Sequence, residues 1–381
     1  MSARARAQPR RGCDVVLAMP AIAKTTLLAM IALATGASVA QAQSSDPPPP
    51  PSATEDEKRN IYIFQIENDL FNRFSPTDRD YTNGVRIGWL SPAITEMPAG
   101  VVALTTLPTF FGEEPTDSVI RRFGVSVGQN IYTPNDTNTS LPIYNDRPYA
   151  AWLYASFALQ YTYKRHDPKT GTLEPVRLDT LQADVGLIGP AAGGEFVQNN
   201  VHRLIGVAQA YGWANQLHNE PTFNLAFERR WRTGRSVIIE DPKLEVDFIP
   251  RIAASLGNVA IYGDIGGTVR IGKNLRDDFG PTRARPSLPG SEAFIGDGSF
   301  GWYLFAGIDG QVVGRNIFLD GNTDGYSLRV SHRPFVGEAQ AGLAVTYRGV
   351  RFTYTQVLRT PEFFEQDRFT QFGSINVTLR Y

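Results

Sequence analysis

Apolar and polar residues alternate with period two in about a dozen separate stretches of this chain. After residue 42, no run is apolar for long enough to form a membrane-crossing helix. The stretches are residues 61–66, 85–89, 121–129, 149–163, 177–187, 222–231, 244–256, 260–271, 300–309, 340–347, 350–358 and 372–381. Each reads as a strand with two unlike faces. A bilayer tolerates no open sheet edge, so strands that cross it must close on themselves, and bacterial single-chain barrels do so with an even number. The chain ends on Tyr381, with Leu379, Val377 and Ile375 at alternate positions behind it, and Tyr and Phe crowd the strand ends as interfacial girdles require. The expected fold is all-β: a transmembrane antiparallel β-barrel of about twelve strands, with a short helix in an outer loop. The rival architecture is a secreted soluble β-sandwich. No repeat of fixed period points to a propeller or solenoid.

The first residues set the compartment. Lys24 precedes an apolar run over 26–39, and Ala40-Gln41-Ala42 supplies a small-x-small cleavage site, so residues 1–42 read as a secretory signal peptide. Arg4, Arg6, Arg10 and Arg11 make a long basic prelude, which suggests that translation starts at Met19. The single cysteine, Cys13, lies upstream of the cleavage site, which leaves no disulfide or thiol chemistry in the mature chain. Without residues 1–42 there remain 32 basic and 37 acidic residues, a net charge of −5 that argues against a nucleic-acid partner. Residues 43–59, with prolines at 47–51, read as a Pro-rich linker, and residues 60–381 as the barrel domain, integral to a Gram-negative outer membrane and expected to be monomeric.

Two polar segments stand out. Glu67-Asn68-Asp69 ends the first strand, and Thr77-Asp78-Arg79-Asp80-Tyr81-Thr82-Asn83-Gly84 leads into the second. Oxygen donors crowded at a strand-loop-strand junction suit a hard cation such as calcium. They equally suit an Asx-rich hairpin turn. The other segment is the connection 188–221, where a Gly-rich turn at 189–194 precedes a short amphipathic helix over 195–205 that carries His202. The Gly run lacks the lysine of a phosphate cradle. A lone histidine on such a helix is more often structural than catalytic, and His218 in the same loop competes with it, while His166 and His332 lie elsewhere. No Gly-x-Ser-x-Gly elbow, His-Glu-x-x-His or paired-cysteine site occurs. With both chain ends periplasmic, loops after odd-numbered strands face outward, so both segments and Asn145-Asp146-Arg147-Pro148 fall at one rim. The inner connections 93–119 and 272–298 are then long, and part of the former suits a helix at the membrane surface.

These residues carry a resemblance. Asn68-Asp69, Asp80-Tyr81-Thr82-Asn83-Gly84 and the segment Gly189-Pro190-Ala191-Ala192-Gly193-Gly194 through Val197-Gln198-Asn199 to His202-Arg203-Leu204-Ile205-Gly206 resemble the LpxR family of outer-membrane lipid A 3-O-deacylases, as does Gln129-Asn130-Ile131-Tyr132-Thr133-Pro134. The resemblance spans residues 61–381 and is strong up to about residue 225. It implies a twelve-stranded barrel that uses calcium to cut an acyl ester of lipid A, the lipid of lipopolysaccharide. It also implies that Asn68, Asp69, Thr82 and His202 are the functional residues. In that scheme His202 is the general base and Asp69 the chief calcium ligand, with Asp80 and Glu67 as further metal candidates. Asn68 and Thr82 orient the carbonyl, the water or the ligand shell.

Two departures from the family pattern accompany this reading. A glutamate expected about two helical turns after the histidine, to orient it, is replaced by Ala208. Glu220 and Glu195 are substitutes without a positional match. The basic pair expected in the second outer loop is replaced by Asp136-Thr137-Asn138-Thr139, which leaves Arg147 to hold substrate phosphate or to form a strand-end salt bridge with Asp146. Beside the deacylase stand a non-catalytic barrel or channel and an outer-membrane phospholipase. Phe71, Phe74, Tyr132 and Tyr144 are the available lining of a lipid groove, or part of the ordinary outer girdle.

Overall fold

The computed structural model describes residues 57–71, 80–94, 116–168, 171–240, 243–275, 278–281 and 299–381. The signal-peptide reading, residues 43–56 of the linker reading, Thr77 to Arg79, Phe74 and most of the two long inner connections lie outside the described residues, while Glu57, near the end of the linker reading, is buried and paired with Lys164.

Thirteen strands form one antiparallel sheet: β1 (Ile61–Asn68), β2 (Asp80–Leu90), β3 (Ser118–Thr133), β4 (Ala150–His166), β5 (Leu173–Ile188), β6 (Glu220–Trp231), β7 (Ser236–Ile239), β8 (Leu244–Gly257), β9 (Ala260–Lys273), β10 (Gly301–Asn316), β11 (Phe335–Tyr347), β12 (Val350–Arg359) and β13 (Thr370–Arg380). β1 pairs with β2 on one side and β13 on the other, and β6 pairs directly with β8, so twelve strands close a barrel while the short β7 lies alongside β8. An even number brings both ends of the barrel to one rim, where Asn60 and Tyr381 exchange two backbone hydrogen bonds of 2.9 and 3.0 Å. Most strands exceed the span that alternation marked: β3 covers 118–133 rather than 121–129. Their ends carry inward polar residues that blur the pattern.

Alternation sorts the side chains as a membrane requires. On β1, Ile61, Ile63, Gln65 and Glu67 point inward, and Tyr62, Phe64 and Ile66 point outward. The outward faces are apolar and the interior is charged, the inverse of a soluble protein. Inside, buried arginines are matched with carboxylates: Arg229 with Asp179 at 2.7 Å, Arg251 with Glu228 at 3.1 Å, Arg351 with Asp278 at 2.8 Å, and Arg270 with Asp247 and Asp278. Unpaired, any of these charges would carry a heavy desolvation cost.

The interior is not an open pore. After β10 a single helical turn, α2 (Ile317–Asp320), tucks Ile317, Phe318 and Leu319 into the barrel, and Phe318 stacks on Tyr132 with ring centroids 3.9 Å apart. The cavity between this turn and the wall measures about 50 Å³, room for a few waters. The connections at the rim opposite the chain ends are 69–79, 134–149, 189–219, 258–259, 317–334 and 360–369, and this outer rim carries every candidate residue.

Candidate functional site at the outer rim

The site begins where β1 and β2 end. Asn68 is the last residue of β1, in register with Asn83 of β2 and Gly373 of β13. Asp69 opens a one-turn 3-10 helix (Asp69–Phe71) and is buried. Beneath it, Glu67 is also buried. Its Oε2 lies 2.5 Å from the Tyr81 hydroxyl, and its Oε1 accepts from Gln65 at 2.6 Å and from Ser374 at 3.4 Å. Glu67 is thus engaged by three donors inside the wall.

β2 starts irregularly. Its register against β3 runs Tyr81 to Tyr132 and then Asn83 to Ile131, so Thr82 is the extra residue of a β-bulge. A bulge turns consecutive side chains to one side of a sheet, and here Tyr81 and Thr82 are both buried. The Thr82 hydroxyl then meets that of Thr133 at 2.7 Å. Asp80, just before, has φ of 65°, which Asp tolerates better than most residues.

What holds Asp80 there is Arg147. Its Nε lies 3.3 Å from Asp80 Oδ1, and its Nη2 donates to Glu362 Oε2 at 2.8 Å. Burial works against the Arg147 charge, but Glu362 and Asp80 outweigh it and hold the guanidinium pKa above its usual value. At 1% exposure this side chain is a buried strut between β2 and the loop after β12. Asp146 bonds the backbone N–H of Arg147 at 2.7 Å, while the side chain goes to the other two acids.

His202 arrives from the third loop. Helix α1 (Gly194–Ile205) turns Gly194, Gln198 and His202 to one buried stripe, each four residues from the next. Gly194 is required: a Cβ there would come within 2.4 Å of Ala151 and 2.6 Å of the Trp213 ring. Gln198 Oε1 accepts from Trp213 Nε1 at 2.8 Å, and Gln129 of β3 donates to Ala192 O at 2.6 Å, so the helix is seated on the ends of β3 and β4. Its other face is exposed and partly apolar, with Phe196 at 74% and Leu204 at 86%. Gly194→Ala is expected to overpack this seat at a cost of about 1–3 kcal/mol. Hydrogen exchange should then show faster amide exchange through 194–205, and unchanged protection would contradict the packing described.

The helix ends on Gly206, with φ of 75°, a left-handed cap that lets the Val207 N–H return to His202 O at 2.9 Å. The reversed chain sets the Ala208 carbonyl 2.5 Å from His202 Nδ1. A carbonyl only accepts, so in the neutral ring Nδ1 carries the proton and Nε2 the lone pair. Position 208, where the family pattern puts a glutamate side chain, therefore supplies an acceptor from the main chain. Glu220 is occupied elsewhere, by Asn258 at 2.9 Å, Asn322 at 3.0 Å and Thr323 at 2.6 Å, and Glu195 is exposed in the first turn of α1. His218 is exposed, its backbone tied to Asn322.

Asn68 thus ends β1 and Asp69 opens the turn after it, Thr82 belongs to β2, its partner Thr133 to β3, and His202 to a helix seated on β3 and β4: consecutive elements at one rim. The three carboxylates Asp69, Asp80 and Glu67 do not converge, and among the described residues no group of three or more His, Cys, Asp or Glu is placed to hold a metal ion. Glu67 accepts hydrogen bonds from Tyr81, Gln65 and Ser374, and one oxygen of Asp80 faces Arg147. Asp69 and the amide oxygen of Asn68 do fit a hard cation by chemistry. Of the aromatics expected to line a lipid groove, Tyr144 is exposed, Phe71 is half-buried, and Tyr132 is an interior residue at 1% exposure. Tyr81 and Asn199 escaped the sequence reading. A bulge and a side-chain clasp leave no periodic signal, although both residues fall inside the motifs.

The family model described as outer membrane protein LpxR matches residues 27–381. Among solved structures, LpxR from Salmonella typhimurium is 22% identical, covering 84% of this chain and 99% of its own, with a TM-score of 0.62. The β domain of the Bordetella autotransporter BrkA is 11% identical over 85% of this chain and 97% of its own, at a TM-score of 0.36. No curated protein sequence matches. The chain belongs to the LpxR family of outer-membrane proteins.

Proposed function

We propose that this barrel hydrolyses an acyl ester of lipid A at its outer rim, with His202 as general base. The observation that carries the reading is the His202 imidazole, buried at 6% exposure and locked by Ala208 O in the tautomer that leaves Nε2 able to accept a proton. Family membership supports the substrate class, and the exposed apolar face of α1 supports an acyl-chain environment beside the base.

In the proposed reaction a water gives its proton to Nε2 as its oxygen attacks the ester carbon. The C–O bond to the sugar then breaks, the sugar oxygen takes that proton from the imidazolium, and a fatty acid is released. Thr82 and Asn68 orient the carbonyl or the water. A calcium ion held by Asp69 and Asn68 would stabilise negative charge on the carbonyl oxygen. Arg147 is assigned to the scaffold and not to substrate phosphate. The rim near it carries Asp80, Asp136, Asp146, Glu365 and Asp367 around a cavity of about 340 Å³, with Arg368 the one basic lining residue among the described residues.

The test is fatty-acid release from purified lipid A by the refolded monomer, with calcium and with a chelator. Release is expected with calcium and should fall about 10²- to 10³-fold on chelation, since loss of one charge-stabilising contact costs about 2.7–4 kcal/mol. Release that survives the chelator would remove calcium from the scheme and leave His202 in it. Release from glycerophospholipid vesicles but not from lipid A would overturn the substrate assignment in favour of a phospholipase.

A further inference from the structure

The carbonyl that orients His202 belongs to an exposed residue in a loop, so something must hold the loop still. Asn199, on the preceding turn of α1, does so through both ends of its side-chain amide. Its Nδ2 donates to Ala210 O at 3.2 Å, and its Oδ1 accepts from Ala210 N at 2.9 Å. An amide bonded to both main-chain groups of one residue copies a strand pairing and fixes where that residue sits and how it is turned. Ala210 is itself buried among Ala192, Tyr149 and Trp213, and the next N–H, of Tyr211, donates to Thr137 O of the second outer loop at 2.9 Å.

The stretch between the helix end and Ala210 is therefore pinned twice. At one end Val207 returns to His202 O, and at the other Ala210 is clasped by Asn199. Ala208 lies between the two pins, and its oxygen stands 2.5 Å from Nδ1. The imidazole and the residue that clasps Ala210 are three positions apart on one helix, so helix and loop form a closed unit.

We propose that Asn199 is a positioning residue for His202: by clasping Ala210 it holds the Ala208 carbonyl on Nδ1, and so fixes the tautomer and ring orientation of the base. The proposal rests on the role of His202 in ester hydrolysis, and its consequence for the imidazole is observable without activity.

The experiment uses the full refolded chain and two substitutions, Asn199→Ala, which removes both bonds, and Asn199→Asp, which keeps the acceptor for Ala210 N–H. Heat-dependent gel mobility confirms that each barrel is folded. In the first measurement, Asn199→Ala should lower kcat for fatty-acid release by about 10- to 100-fold, the range for a misplaced catalytic group. KM should be unchanged, and Asn199→Asp should fall between. The second measurement follows acylation of His202 by diethyl pyrocarbonate with mass spectrometry. The wild-type rate should be slow, and Asn199→Ala should raise it severalfold, with Asn199→Asp again between. If the wild type releases no fatty acid, the hydrolase reading fails while the acylation rates still decide the role of Asn199. An unchanged acylation rate in Asn199→Ala overturns the proposal, whether or not kcat falls.

Discussion

His202→Ala is expected to reduce fatty-acid release by about 10²- to 10⁴-fold, the usual contribution of a general base. The loss should appear in kcat, because the imidazole acts on the proton in flight and takes little part in holding the lipid. Stability should change little. The group left behind on the protein side is the Ala208 carbonyl, on an exposed residue that water can reach. The measurement is initial rate against lipid A concentration for wild type and variant, alongside heat-dependent gel mobility. A folded variant that keeps its wild-type kcat would remove His202 from the chemistry and return it to the structural role that a lone helical histidine usually has.

Arg147→Met is expected to destabilise the barrel by about 3–5 kcal/mol, the cost of leaving buried carboxylates without their cation. Two acids are stranded by this change, Asp80 on β2 and Glu362 in the loop after β12. Glu362 keeps Arg359, 3.2 Å away. Adding Glu362→Gln to the methionine variant should therefore recover only part of the loss. Urea unfolding of the detergent-refolded barrel, followed by tryptophan fluorescence, measures the series. A cost below about 1 kcal/mol for Arg147→Met would place the residue with ordinary surface charges and reopen a role in gripping phosphate. Activity should fall together with stability, because Asp80 fixes the entry into the bulge that aims Thr82 inward.

The architecture was legible because a membrane makes it so. An outward residue must be apolar and an inward one is free to be polar, so Tyr62, Phe64 and Ile66 alternate with Ile63, Gln65 and Glu67 and betray a two-faced strand. The count of twelve and the common rim of the polar segments follow from closure and from antiparallel connection. The helix was legible as well, since its buried stripe recurs every four residues; Gly194–Ile205 differs from the expected 195–205 by one residue. Antiparallel connection likewise puts the segments that carry Asn68, Asp69, Thr82 and His202 at one rim.

The partners of these residues were decided by the tertiary structure. Glu67 and Asp80 read as metal candidates because a sequence shows oxygen donors and not what already occupies them. Tyr81, fourteen residues from Glu67, and Arg147, sixty-seven from Asp80, become their neighbours only when the wall closes. Ala208 read as a lost glutamate because a sequence lists side chains, and the acceptor it supplies is a main-chain oxygen that every residue has. Only the left-handed turn at Gly206 and the Asn199 clasp on Ala210 bring that oxygen to His202. Local alternation and membrane solvation determine the barrel from sequence; which charge is paired and which carbonyl faces the imidazole depends on contacts between distant segments, which only the closed fold creates.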